Sequence, residues 1–171
     1  MSRPPTPEQV EAIRTSLAER PSQMTMQLAR RVGVPEVEVI RLLPDGRSVE
    51  LDVGRWKELF EAFAELGQVH VIVSNGSVTC EVVGEFGGFS VWEEFFNVQS
   101  KSLDLHIRWP RLAAAFAVEK PSHMDAGRTL SVQLFDDNGD SALKVFLNFG
   151  GKPSAEREQQ FASLKDRFAR R

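Results

Sequence analysis

At Gln68 the hydrophobic period of this chain changes from 3.6 to 2, and no other feature constrains its fold as strongly. Beyond that point Asn75-Gly76 stands between two β-rich runs, a strong hairpin signal. A two-residue loop there predicts that Val73 faces Val78, Val71 faces Cys80 and Val69 faces Val82 on an apolar side, with His70 opposite Glu81 on the other. Further strands are predicted over Phe89 to Val98, Leu103 to Arg108, Ala113 to Glu119, Thr129 to Phe135 and Ala142 to Phe149. Short turn clusters such as Asp136-Asp137-Asn138-Gly139-Asp140 join them, so the sheet is expected to be antiparallel.

Before Gln68 the pattern is helical. Thr6 is a predicted cap, with Pro7 at the first helical position and Gln9 completing a capping box ahead of Val10, Ile13 and Leu17. A second helix through Leu28, Ala29 and Val32 should stop at Gly33, and a third from Pro35 should end before Pro44. Asp52 is a predicted cap for a longer helix carrying Trp56, Leu59, Phe60, Phe63 and Leu66 and ending at Gly67. Ser154 is expected to cap a last helix through Phe161, Leu164 and Phe168. The predicted class is α+β: a large curved antiparallel meander with an N-terminal helical head and a C-terminal helix packed on it. One domain over 1–171 is expected, divided into a loose lead 1–7, head 8–44, helix 52–67, sheet 68–149 and closing helix 154–171.

The chain has 171 residues, 42% hydrophobic and 26% charged, enough to bury a sizeable core without staples. Cys80 is the sole cysteine, so no internal disulfide can form and a cytoplasmic location is expected. No apolar run approaches the ~20 residues of a membrane span, and the opening residues lack the apolar core of a secretory signal. A net charge of -3 argues against a protein whose main affinity is for nucleic acid. Gln27 to Leu43 has the outline of a helix-turn-helix, but its second helix is expected to present Glu36 and Glu38 with only Arg41 against them, which would repel a phosphate backbone. A helical hairpin packed on the sheet is the preferred reading.

Asp136 to Asp140 resembles the start of a calcium loop, yet Ser141 and Leu147 occupy the positions that need glycine and a bidentate glutamate, so a hairpin turn is expected. Cys80 is predicted to be a buried, inert small hydrophobe. Three histidines remain. His70 is expected to pair with Glu81; His106 alternates with Asp104 and Arg108 on the polar side of a strand, where a solvated face or a metal or haem-iron ligand are both open readings; His123 lies in the loop Pro121 to Arg128.

Several segments, in this order and spacing, resemble the HutX/ChuX family of intracellular haem-utilisation proteins, single-domain relatives of the two-domain HemS-type proteins. They are Leu28-Ala29 through Leu43-Pro44, Leu66-Gly67-Gln68-Val69, Phe95-Phe96-Asn97-Val98, Leu105-His106-Ile107, Leu134 through Gly139, Ala142 through Leu147 and Gln160-Phe161. The resemblance implies a large curved antiparallel sheet, a homodimer, haem as ligand and a carrier role that delivers haem to a downstream acceptor protein. Family members tend to have Tyr-Phe-Asn where this chain has Phe95-Phe96-Asn97, and the chain contains no Tyr at all, so a phenolate ligand is excluded. A Gly-His-Ile or Gly-His-Leu step is common where Leu105-His106-Ile107 stands, which makes His106 the implied iron ligand. Phe95, His70 and His123 are further implied members of the site, and Arg108, Arg111, Lys120 or Arg128 the implied partners of propionates. The alternatives are a divergent member that serves as an interaction or small-ligand module, a DNA-binding regulator and a haem-degrading enzyme; the expected reading is a carrier and not an enzyme.

Overall fold

The computed structural model describes residues 4–170, so residues 1–3 of the predicted lead 1–7 lie outside the described residues. The head consists of α1 (Pro7–Glu19), α2 (Thr25–Val32) and α3 (Glu36–Arg41). Thr6 caps α1 through a complete capping box with Gln9, and Gly33 ends α2 at φ 74, a left-handed conformation that glycine adopts without a Cβ clash. Next come β1 (Ser48–Leu51) and α4 (Trp56–Ala62). They are followed by β2 (Val69–Ser74), β3 (Thr79–Gly84), β4 (Ser90–Trp92), β5 (Phe95–Gln99), β6 (Asp104–Arg108), β7 (Leu112–Pro121), β8 (Arg128–Asp136), β9 (Ser141–Phe149) and α5 (Ala155–Phe168).

The class is α+β as expected, but the strands form two antiparallel sheets. The large one has the order β1-β7-β8-β9-β2-β3 and the small one β4-β5-β6. One face of the large sheet packs with α4, α5 and the inner side of the small sheet around Leu59, Phe60, Phe63, Phe96, Val132, Val145 and Phe168. The head covers part of the other face, where Ile13, Leu28, Val37 and Ile40 meet Phe116, Val118 and Phe135. The C-terminal end returns to β1, with Asp52 N–H donating to Phe168 O and Arg170 N–H to Glu50 O.

Several expectations are corrected. The predicted single strand Phe89 to Val98 is a tight hairpin, because Glu93 takes φ 51 and turns the chain so that Trp92 faces Phe95. Asp52 caps only a 3₁₀ turn, Val53–Arg55, so the predicted helix 52–67 is segmented into that turn, α4 and a second 3₁₀ turn. Strand β1 was not anticipated. The first hairpin has a four-residue loop, since Asn75 Oδ1 accepts from both Ser77 N–H (3.0 Å) and Val78 N–H (2.8 Å) and lengthens the turn. Ser74 therefore pairs with Thr79, Val71 with Val82 and Ile72 with Glu81. The slip is by two residues, so each side chain keeps its face.

Cys80 is exposed, contrary to the buried reading, because β3 is an edge strand whose burial fades from Gly84 toward Thr79. Glu36 and Glu38 do not face outward: they are 4% and 8% exposed, and Glu36 Oε1 accepts from Thr25 Oγ1 and Lys144 Nζ, each at 2.6 Å. Lysine in the sheet supplies the counter-charge that lets α3 turn a carboxylate inward.

Candidate functional site

The structure divides the five implied site residues into two groups. Phe95 on β5 and His106 and Arg108 on β6 lie on the outward face of the small sheet; His70 on β2 and His123 in the β7–β8 loop belong to the large sheet. Alternation explains the first group. Phe96, Val98, Leu105 and Ile107 point into the core, so Phe95, Asn97, His106 and Arg108 face out.

Two rungs cross that outward face. Trp92, Phe95 and Arg108 form one, with Trp92 66% exposed; Ser90, Asn97 and His106 form the other. Within the second, Asn97 Nδ2 donates to Ser90 Oγ at 3.1 Å, which orients its amide oxygen toward His106 Nδ1 at 2.7 Å. An amide oxygen only accepts, so Nδ1 carries a proton, and in that tautomer of the imidazole the lone pair is on Nε2. Asp104 Oδ1 stands 3.6 Å from Nε2, too far for a strong hydrogen bond. The imidazole is thus held in one orientation by a buried asparagine while Nε2 faces solvent, the arrangement by which an outer partner orients a metal-binding histidine. Arg108 Nε donates to Glu94 at 2.7 Å in a half-exposed pair that an incoming carboxylate can displace at little cost. Of the other implied anion partners, Arg111 is engaged with Asp137 at 2.5 Å and Arg128 with Glu119 and Glu158.

The second group borders a cleft of about 230 Å³ between the head and the large sheet, lined among others by Met24, Met26, Ile72, Lys120, Phe146 and Phe149, with His123 at the loop side. His70 adjoins it, its ring 4.0 Å from that of Phe149, and its Nε2 reaches Glu81 at 3.0 Å diagonally across the strands. Lys120 is buried and lacks an acidic partner among the described residues; its ammonium donates to Ser22 O (3.2 Å) and Pro121 O (2.9 Å). Desolvation, with Lys144 and Arg47 nearby, lowers its pKa to about 8.

Asn97, Ser90 and Trp92 were not anticipated as site residues. Reading Phe89 to Val98 as one strand hid the hairpin that brings Ser90 and Trp92 alongside β5, and Glu93-Glu94 carries no turn residue that would have shown it.

The family model for haem utilisation ChuX/HutX matches residues 49–164. The chain belongs to this family. No curated protein sequence matches it. Among solved structures, a protein from Agrobacterium tumefaciens superposes with TM-score 0.81 at 21% identity, covering 98% of this chain and 99% of that one. The haem-binding protein ChuX gives 0.78 at 22%, with 91% and 97% covered. Holo-PhuS, a haem-binding protein from Pseudomonas aeruginosa, gives 0.73 at 24%, covering 95% of this chain and 48% of PhuS. These likenesses establish the family fold, and the last two coverages show that this chain corresponds to about half of the longer protein. Among the described residues no helix is long and apolar enough to cross a membrane.

Proposed function

We propose that this haem-utilisation family member binds haem as cargo on the outward face of β4–β6, with His106 Nε2 as the iron ligand. The observation that carries the reading is the Ser90–Asn97–His106 chain of hydrogen bonds, which presents a pre-oriented imidazole on a strand inside the stretch that the family model matches. Trp92 and Phe95 supply apolar surface beside it, and Arg108 a cation for a propionate. A lone neutral histidine holds iron reversibly, which suits a carrier that gives its cargo to an acceptor protein. The small sheet offers one side to a bound macrocycle, so the second side needs a cover, and a second copy of this chain supplies it in this reading. His123 and His70 then serve outside the iron site, a revision of the grouping implied by the family resemblance.

Hemin titration of the purified chain tests this. A saturable Soret band is expected, lost or shifted in His106→Ala and retained in His70→Ala and His123→Ala. Identical spectra and affinity in His106→Ala would sink the assignment. Sedimentation at micromolar concentration is expected to show a dimer; a pure monomer with and without hemin would remove the proposed cover.

A further inference from the structure

On the outward face of the small sheet, the two side chains suited to grip haem are left in different states. Asp104 stays 3.6 Å from His106 Nε2, so that nitrogen is available to a ligand. Arg108 is already taken. Glu94 Oε2 accepts from its Nε at 2.7 Å and lies equally close to its Nη2. A carboxylate of the chain itself therefore sits where the carboxylate of a propionate would.

The β4–β5 hairpin fixes this arrangement. Trp92 pairs with Phe95, which makes Glu93 and Glu94 the two loop residues. Glu93 takes φ 51, a conformation disfavoured for a residue that carries a Cβ. Trp109 N–H then donates to Glu94 O at 3.2 Å and ties the loop to the end of β6. Glu93 bears the same charge one position earlier, yet Arg108 pairs with Glu94 and not with it.

The pair is built to exchange. Its side chains are 53% and 51% exposed, so solvent screens the attraction and one carboxylate can replace another at little cost. Arg111 and Arg128 are each shared by two carboxylates instead. Glu94 meets two guanidinium nitrogens with one oxygen, whereas a propionate arriving from outside can offer an oxygen to each, the stronger fork. A macrocycle also held by His106, two residues away on the same strand face, gains from attachment at two points. Once displaced, Glu94 stays tethered beside the guanidinium at high effective concentration and returns when the propionate lifts.

We infer that Glu94 is an internal competitor for the haem propionate: it occupies Arg108 before haem arrives and, by returning to it, speeds release of the cargo. The inference rests on the haem reading of this face and adds the residue that sets how firmly the carboxylate end is held.

Titration of the full chain with hemin and with hemin dimethyl ester, and the rate of hemin transfer to excess apomyoglobin, provide the test. Glu94→Gln is expected to bind hemin about two- to fivefold tighter than the parent and to release it correspondingly more slowly. The dimethyl ester, which has no carboxylate for Arg108, should bind both alike. Glu93→Gln removes the same charge one residue away and should leave both ligands as in the parent. In an Arg108→Gln background, Glu94→Gln should have no further effect. Unchanged hemin affinity in Glu94→Gln, an equal gain for hemin and its ester, or an equal gain in Glu93→Gln overturns the inference. A Soret band lost in His106→Ala together with a silent Glu94→Gln would overturn the competitor alone, whereas unchanged hemin binding in His106→Ala would remove the reading of the face and the inference with it.

Discussion

The two sheets of this protein solve the same problem in opposite ways. One face of the large sheet is covered by α4 and α5 and part of the other by the head, and its polar side chains Lys144, Ser131 and Thr129 are accordingly paired inside, Lys144 with Glu36 of α3. The small sheet is covered on one side only. Its inner row is core and its outer row meets solvent, so β5 places a core residue, Phe96, beside a surface one, Phe95. Neighbouring residues of identical chemistry thus have different tasks.

The largest effect should separate those two phenylalanines. Phe96 is fully buried and its ring contacts Trp56, Phe60 and Phe89, so Phe96→Ala is expected to cost about 4 kcal/mol in denaturant unfolding. Phe95→Ala, half-buried on the outer row, should cost about 1 kcal/mol or less. Equal losses would mean that the outward face is itself packed.

Lys120 comes next. Its pKa is about 8 in the fold against 10.5 for an ordinary lysine, so between those values the unfolded chain holds the proton that the folded chain has released. Stability contributed by this group therefore rises with pH from about 8 to about 10.5 and is lowest below that window. Lys120→Met should be more stable than the parent at pH 7 by about 2 kcal/mol or less, with the difference shrinking above pH 8. A difference that is flat from pH 6 to pH 10 would show that the buried ammonium is not desolvated.

On the open face the effects on stability are smaller and those on ligand larger. His106→Ala should change stability by less than about 1 kcal/mol while removing the proposed iron ligand, since the side chain is 59% exposed. Asn97→Ala leaves the imidazole in place but frees its tautomer and orientation, and a loss of hemin affinity of about tenfold is expected. Equal hemin affinity in Asn97→Ala and the parent would reduce the relay to a surface contact. The smallest effect belongs to His70→Ala, where a half-exposed pair with Glu81 contributes about 0.5 kcal/mol or less.

Most of the element order was legible in the sequence because it depends on local signals: the Thr6 capping box, the Gly33 stop and the alternation in the long strands β7, β8 and β9. Alternation also told that His106 and Arg108 share a polar face. What local signals do not specify is which strands become neighbours. The division into two sheets depends on the Glu93 turn, a left-handed conformation at a residue that does not advertise one, and the inward Glu36 depends on a lysine 108 residues away. Lys120 looks like an ordinary strand residue for the same reason, since only the head packed above it makes the cavity.

The return of the C-terminal end to β1 has a consequence for how copies of the large sheet can meet. Backbone bonds from Asp52 to Phe168 and from Arg170 to Glu50 occupy the end of that edge, whereas β3 at the opposite edge pairs only with β2. Among the described residues, strand addition to the large sheet thus has the β3 rim unobstructed along its length. Two copies joined there by a two-fold axis would consume the open rim of each, so such growth terminates at a pair instead of propagating as a ribbon.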